Sequence, residues 1–228
     1  IKLVICGGKP IDKESFSSRK ILPPFARNSV NPPTIHTTSF CTSETTEETN
    51  VIGIIEGKIL TDHLKENISI VNGDKLPDIS RDLLRVTVIE RHGKNGNVSN
   101  GFVKGFGLKS GAIASTVCHD HHNIISVGAN YADMELAIKH LSKIEGGFVI
   151  ASEGKILAEL ALPIAGLMSL QSFELVQSQL SELRRIAKNL GVTLEEPFLQ
   201  LAFLALPVIP NLKITDKGLV DVNKFKLI

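Results

Sequence analysis

Apolar positions along this chain fall into short runs separated by glycine, proline and polar clusters. Ile1 to Cys6 before Gly7-Gly8-Lys9 reads as a strand and a tight turn. Residues 15 to 50 carry Pro23-Pro24, Pro32-Pro33 and the polar run Thr42 to Asn50 without a period, the mark of an extended linker or surface strap. Regular structure resumes at Val51-Ile52-Gly53-Ile54-Ile55. Leu84 to Glu90 sets Leu84, Val86 and Val88 against Arg85, Thr87 and Ile89, which predicts a half-buried strand. The six glycines between residues 91 and 111 indicate turns or close backbone approach, not helix.

The apolar, β-branched run Ala112 to Cys118 predicts a strand, and Ile124 to Val127 another. Asn130 is placed to cap a helix whose stripe is Met134, Ala137, Ile138, Leu141 and Ile144, about four turns long. Gly146-Gly147 stops it, and Phe148-Val149-Ile150 starts a strand. This strand-helix-strand unit favours parallel pairing with a right-handed crossover. Ser152 to Lys155 then turns the chain into Ile156 to Leu160 as a hairpin. A second stripe, Phe173, Val176, Leu180, Leu183, Ala187 and Leu190, ends at Gly191 in the C′ position. Pro197 suits the first turn of a third helix running through Leu206, and Leu212 to Thr215 is a last short strand. The fold class is α/β to α+β, a mixed β-sheet with flanking helices and no internal repeat.

Composition narrows the function. A chain of 228 residues, 43% apolar, suits one large domain or two small ones with a real core. Its 25 basic and 24 acidic residues nearly cancel, which argues against a nucleic-acid partner, as does the lack of interleaved aromatic and basic residues. No stretch approaches the roughly 18 apolar residues of a membrane span, and the first residues lack the form of a signal peptide. Three widely spaced cysteines, Cys6, Cys41 and Cys118, suggest neither a disulfide framework nor a zinc knuckle and fit a reducing, cytoplasmic setting.

The densest chemistry is His119-Asp120-His121-His122-Asn123, with three of the seven histidines. Imidazole titrates near neutrality and is the commonest metal ligand. At a strand end, His119 and His121 would point the same way and could share a metal. A catalytic metal centre needs a third ligand. Only His140 follows, and no spacing recommends His36, His63 or His92. Three readings stay open: a complete metal centre, a hydrogen-bonded polar cluster, or groups that assist a centre built elsewhere. Cys118 is either a thiolate nucleophile or a small core residue. Glu90-Arg91-His92 would bind a substrate, pair internally or form a solvated strand end. Gly101 to Gly107 lacks the order of a phosphate-binding loop and reads as a close backbone approach. Leu162 to Ser169, apolar and helix-breaking, suits an interface or a cavity wall.

Several of these runs together carry a resemblance. Gly101-Phe102-Val103-Lys104-Gly105-Phe106-Gly107-Leu108, Gly111 to Val117, His119-Asp120 with His122-Asn123-Ile124-Ile125, Leu162 to Ser169, Leu206 to Pro210 and Thr215 to Val222 resemble, in order, the C-terminal region of bacterial adenine deaminases of the amidohydrolase superfamily. The resemblance implies hydrolysis of adenine to hypoxanthine and ammonia by a metal-activated hydroxide. It implies a divalent metal, Mn or Fe, bound mainly outside this chain in an N-terminal (β/α)8 barrel that the chain does not contain. Residues 1–50 would then be a strand of the small β domain flanking that barrel plus a linker, and residues 51–228 the C-terminal domain. His121 stands where a small, serine-like residue is expected, so the H-x-H is incidental to the pattern. His119, Asp120 and His122 become the catalytic candidates. Asn123, Glu90 and His92 become the substrate-binding candidates, and no metal ligand is assigned here. The expected partners are adenine, the missing barrel and further copies in a homo-oligomer. The isolated chain should be inactive, and a non-catalytic assembly or dimerisation module is the alternative.

Overall fold

The computed structural model describes residues 3–12, 27–42 and 45–228. The first two residues, Pro23-Pro24 and part of the polar run after Thr42 lie outside them. The chain opens with a hairpin of β1 (Val4–Cys6) and β2 (Lys9–Ile11), whose side chains are almost all exposed and which pairs with no other described strand. Residues 27–42 run extended into a single 3-10 turn, Thr37–Phe40. They are more than a surface strap: Val30, Ile35 and Phe40 are buried against the sheet.

The central element is an eight-stranded sheet. It is built from β3 (Glu48–Ile54), β4 (Thr61–Asn67), β7 (Leu83–Ile89), β8 (Val98–Lys104), β9 (Ala112–Ser115), β10 (Ile124–Gly128), β11 (Gly147–Ser152) and β12 (Lys155–Ala161). The two short strands β5 (Ile70–Val71) and β6 (Asp74–Lys75) form a separate hairpin. The sheet order is β12-β11-β9-β10-β7-β8-β3-β4, antiparallel throughout except for the parallel β3–β8 pair. The sheet is therefore mixed, with helices on its faces.

Helix α1 (Tyr131–Lys143) covers one face. Asn130 caps it by accepting the Asp133 amide at 2.9 Å, and Met134, Ala137, Ile138 and Leu141 pack on Ile89, Ala112, Ala114, Ile124 and Val149. The other face carries α2 (Phe173–Asn189), α3 (Pro197–Phe203) and a small sheet of β13 (Leu212–Thr215), β14 (Gly218–Asp221) and β15 (Lys226–Leu227). Leu183, Ala187, Leu201, Leu212 and Ile214 meet Leu84, Val86, Val88, Ile125 and Val127 there. Gly191 follows α2 at φ +99°, the left-handed conformation that a C′ glycine supplies.

Four expectations change. β10 and β11 run in the same direction but do not pair: β9 lies between them, antiparallel to both. β7 is buried on both faces, not one. Its polar side has protein partners: Arg85 stacks on the Phe102 ring at 4.2 Å and donates to Asp74 at 3.3 Å and to the Tyr131 hydroxyl at 2.7 Å, while Thr87 donates to the Ser99 carbonyl. Residues 98–104, glycine and all, form a strand; Gly101 makes room there for Leu219 and Ile214. α3 stops at Phe203 because Pro207 has no amide to continue it and disfavours helix in the residue before it.

Candidate functional site

β9 ends at Ser115, four residues short of His119. Thr116 takes the chain out of the sheet; its hydroxyl donates to the Gly166 carbonyl at 2.6 Å and accepts the Gly147 amide at 2.7 Å. His119 to His121 form a turn, closed by the His122 amide on the Cys118 carbonyl at 2.6 Å, with His122 itself at φ +48°. The alternation of a strand therefore does not apply to His119 and His121. The His119 ring lies 5.9 Å from that of His122 and 6.2 Å from Phe203 at the end of α3. His121 turns the other way: its Nδ1 accepts the Asn123 amide at 3.3 Å and sits 4.0 Å from the Cys118 thiol, and the ring faces the Ala205 backbone. Among the described residues no three His, Cys, Asp or Glu are arranged to hold a metal ion. The described residues therefore do not fit the divalent metal that the sequence resemblance implies.

The end of β7 holds this turn from behind. The Arg91 Nε donates to the His122 carbonyl, and the His92 Nε2 pairs with the His121 carbonyl at 2.9 Å. Arg91 also donates to the carbonyls of Ser29 and Ala165, both at 2.9 Å. Glu90 accepts four backbone amides, those of His92, Lys94, Asn95 and Gly96, and so fixes the loop after β7. Burial alone would raise its carboxyl; the four amides outweigh that and hold it below the usual range. Glu90 and Arg91 are 4% and 2% exposed, which rules out a solvated strand end. Only His92 of the three is exposed.

Asn123 is buried, and its Nδ2 donates to Asp216 at 3.2 Å; Asn97 donates to the other oxygen of the same carboxylate at 3.1 Å. Asp216, in the turn between β13 and β14, thus joins the site. So do Phe203, Ala165 and Gly166. None was singled out as a site residue, although Asp216 and the 162–169 run lie in the quoted motifs. The sequence signal at Asp216, a Thr-Asp-Lys-Gly turn between apolar runs, is that of any hairpin.

The electrostatics favour neutral imidazoles. Burial pushes His121 below its usual value, against Asp216 and the Ala205 backbone. Burial also lowers His122, helped by His119, Arg91 and His92 and opposed by Asp120, which is exposed nearby. A neutral imidazole offers one donor and one acceptor. His119 Nδ1, His121 Nε2, His122 Nδ1 and Asn123 Oδ1 are buried and have no hydrogen-bond partner among the described residues. Such groups are rare in folded proteins and call for a partner. Cys118 is fully buried and its thiol is pushed far up by that burial, so it packs as a core residue and is no thiolate nucleophile.

Comparison with known proteins matches residues 58–226 to the adenine deaminase C-terminal domain. The chain is 58% identical over 226 residues to an adenine deaminase of Cereibacter sphaeroides (strain ATCC 17025 / ATH 2.4.3), covering 99% of this chain and 40% of that protein. It is 52% identical over 227 residues to an adenine deaminase of Brucella anthropi, covering 100% of this chain and 40% of that protein. An adenine deaminase of Brucella abortus (strain 2308) is 51% identical over 227 residues. The chain spans about 40% of the length of the curated relatives it matches. No helix among the described residues is long and apolar enough to cross a membrane.

Proposed function

Because this chain belongs to the adenine deaminase C-terminal domain family, we propose that it is the part of an adenine deaminase that lends a rigid polar face to a hydrolytic centre built outside it. The reaction adds water to C6 of adenine and releases ammonia and hypoxanthine. A divalent metal, Mn or Fe, would be held by residues outside this chain and would supply an activated water. Within this chain, His122 Nδ1 and His119 Nδ1 take or give a proton or a hydrogen bond at the substrate's exocyclic nitrogen. Asp120 supports the imidazolium that results. Asn123 Oδ1, its amide tied to Asp216, accepts an N–H of the purine edge. Glu90 and His92 act as frame, since their polar atoms are engaged by this chain's own backbone. The setting is cytoplasmic, in keeping with three free cysteines. The observation that carries this reading is the concentration of four unpartnered, buried polar atoms in five residues held by an internal scaffold.

The exposed β1–β2 hairpin belongs to the small β domain beside the barrel, whereas Val30, Ile35 and Phe40 pack in the core of the domain that follows, so the boundary falls before residue 27. An isolated two-stranded hairpin is marginal in water, so its own sheet lies elsewhere. In the intact enzyme that contains this segment, His122→Ala and Asn123→Ala should lower kcat/KM for adenine by at least about tenfold with the fold kept. Unchanged kinetics would overturn the proposal in favour of the assembly module. That second reading draws on the exposed Met168, Leu170, Phe173 and Leu175, which would suit a dimer or barrel contact. Robust turnover of adenine by the 228-residue chain with Mn2+ or Fe2+ would equally refute the need for a barrel.

A further inference from the structure

We infer that Arg91 is a positioning residue, which aims the His122 ring by gripping the backbone of its turn. Its guanidinium spans three segments distant in sequence: Ser29 in the extended N-terminal stretch, His122 in the turn, and Ala165 in the apolar loop. All three acceptors are backbone carbonyls, with the Ser29 hydroxyl as a weaker fourth contact at 3.4 Å. No carboxylate pairs with this buried cation among the described residues. A buried charge without a counter-ion is costly, and stability alone would be served as well by a neutral or apolar residue. A planar fork with donors on three sides is what only arginine supplies.

The surroundings are cut to fit it. Gly166 lies flat against the guanidinium at φ +69°; a Cβ there would stand 3.0 Å from the Arg91 Cζ and both terminal nitrogens. On the next residue, His92 holds the His121 carbonyl. Two consecutive carbonyls of the turn are thus pinned from the β7 side, which fixes the backbone of His122 at its left-handed φ and leaves its Nδ1 facing away from any internal partner. The charge acts as well: Arg91, His119 and His92 face His122 and favour its neutral form, with Asp120 opposing. The inference rests on the proposed function only for what the ring is aimed at.

The test is an NMR titration of the histidine Cε1–Hε1 signals in the 228-residue chain. Arg91→Gln should raise the His122 midpoint by about half a pH unit or more and broaden its signal, while His36 and His63 keep theirs. Arg91→Lys should restore the midpoint, because the charge returns, but not the sharp signal, because the fork does not. If Arg91→Gln fails to fold, Gly166→Ala displaces the guanidinium and should move His122 in the same direction. An unchanged His122 in a folded variant, or equal movement of all histidines, overturns the inference. Neither result depends on adenine turnover, so loss of the functional reading would not be mistaken for loss of this one.

Discussion

Lys213 offers a quantitative test of how the end of α3 is built. It lies on β13 with no exposed surface, and its Nζ donates to the carbonyls of Ile59 at 2.8 Å and Phe203 at 2.9 Å. Phe203 is the last residue of α3 and packs near His119, so this amine both caps the helix and supports the site. Burial pushes the ammonium down from 10.5 to about 8. Below about pH 8 the folded and unfolded chains both hold the proton, and the fold carries the full cost of a buried charge. Between about 8 and 10.5 the folded chain releases the proton while the unfolded chain keeps it, so stability rises with pH. Above 10.5 both are neutral and the gain is complete. At about 1.4 kcal/mol per pH unit, that interval is worth about 3 kcal/mol. The assay is urea unfolding of the wild type and Lys213→Met from about pH 7 to 10.5. Subtracting the two series removes other groups, notably Tyr131, whose phenol burial raises to about 12 and which therefore acts with the opposite sign. Methionine keeps the length but leaves both carbonyls without a donor, a cost that does not vary with pH. The wild type should gain about 3 kcal/mol on the variant across the range. A flat or falling difference would refute the reasoning.

Asp216→Ala removes the shared acceptor of Asn97 and Asn123 and should cost about 2 kcal/mol by urea unfolding; an unchanged midpoint would mean the hairpin does not pin the site. Gly147→Ala places a Cβ 1.8 Å from the Leu160 carbonyl oxygen at φ +128°, so it should cost more than about 4 kcal/mol; soluble, cooperatively unfolding protein would contradict this. Among the three thiols, Cys6 and Cys41 are exposed and Cys118 is buried, so a disulfide reagent should titrate two quickly and the third only on unfolding. Equal rates for all three would show that the turn opens readily.

The elements from β10 to α2 were legible because their signals are local. Asn130 caps within three residues, the Met134 stripe repeats within a turn, and the Ser152 to Lys155 turn needs only its neighbours. What could not be read was who lies beside whom. The insertion of β9 between β10 and β11 follows from contacts across the sheet, and no feature of the intervening helix encodes it. Arg85 and Thr87 carried the polar signature of a solvent face, yet Phe102, Asp74 and Tyr131 close over that face from residues far along the chain. Alternation reports which side is polar; it does not report whether that side is wet.

The site shows the same division more sharply. His119 to Asn123 stood out by composition alone, and the resemblance to adenine deaminases set His121 apart as incidental to the pattern. Composition could not say which way each ring points, because that depends on leaving the strand at Thr116 instead of at His119. The frame was present in the sequence as Glu90-Arg91-His92, but as a candidate substrate contact. Its work is visible only once Ser29, His122 and Ala165 are brought within reach of one guanidinium. The residues that stand out chemically and those that place them are thus different residues, joined by bonds across 31, 62 and 74 positions of sequence. A variant that leaves every histidine intact can therefore still disarm the site.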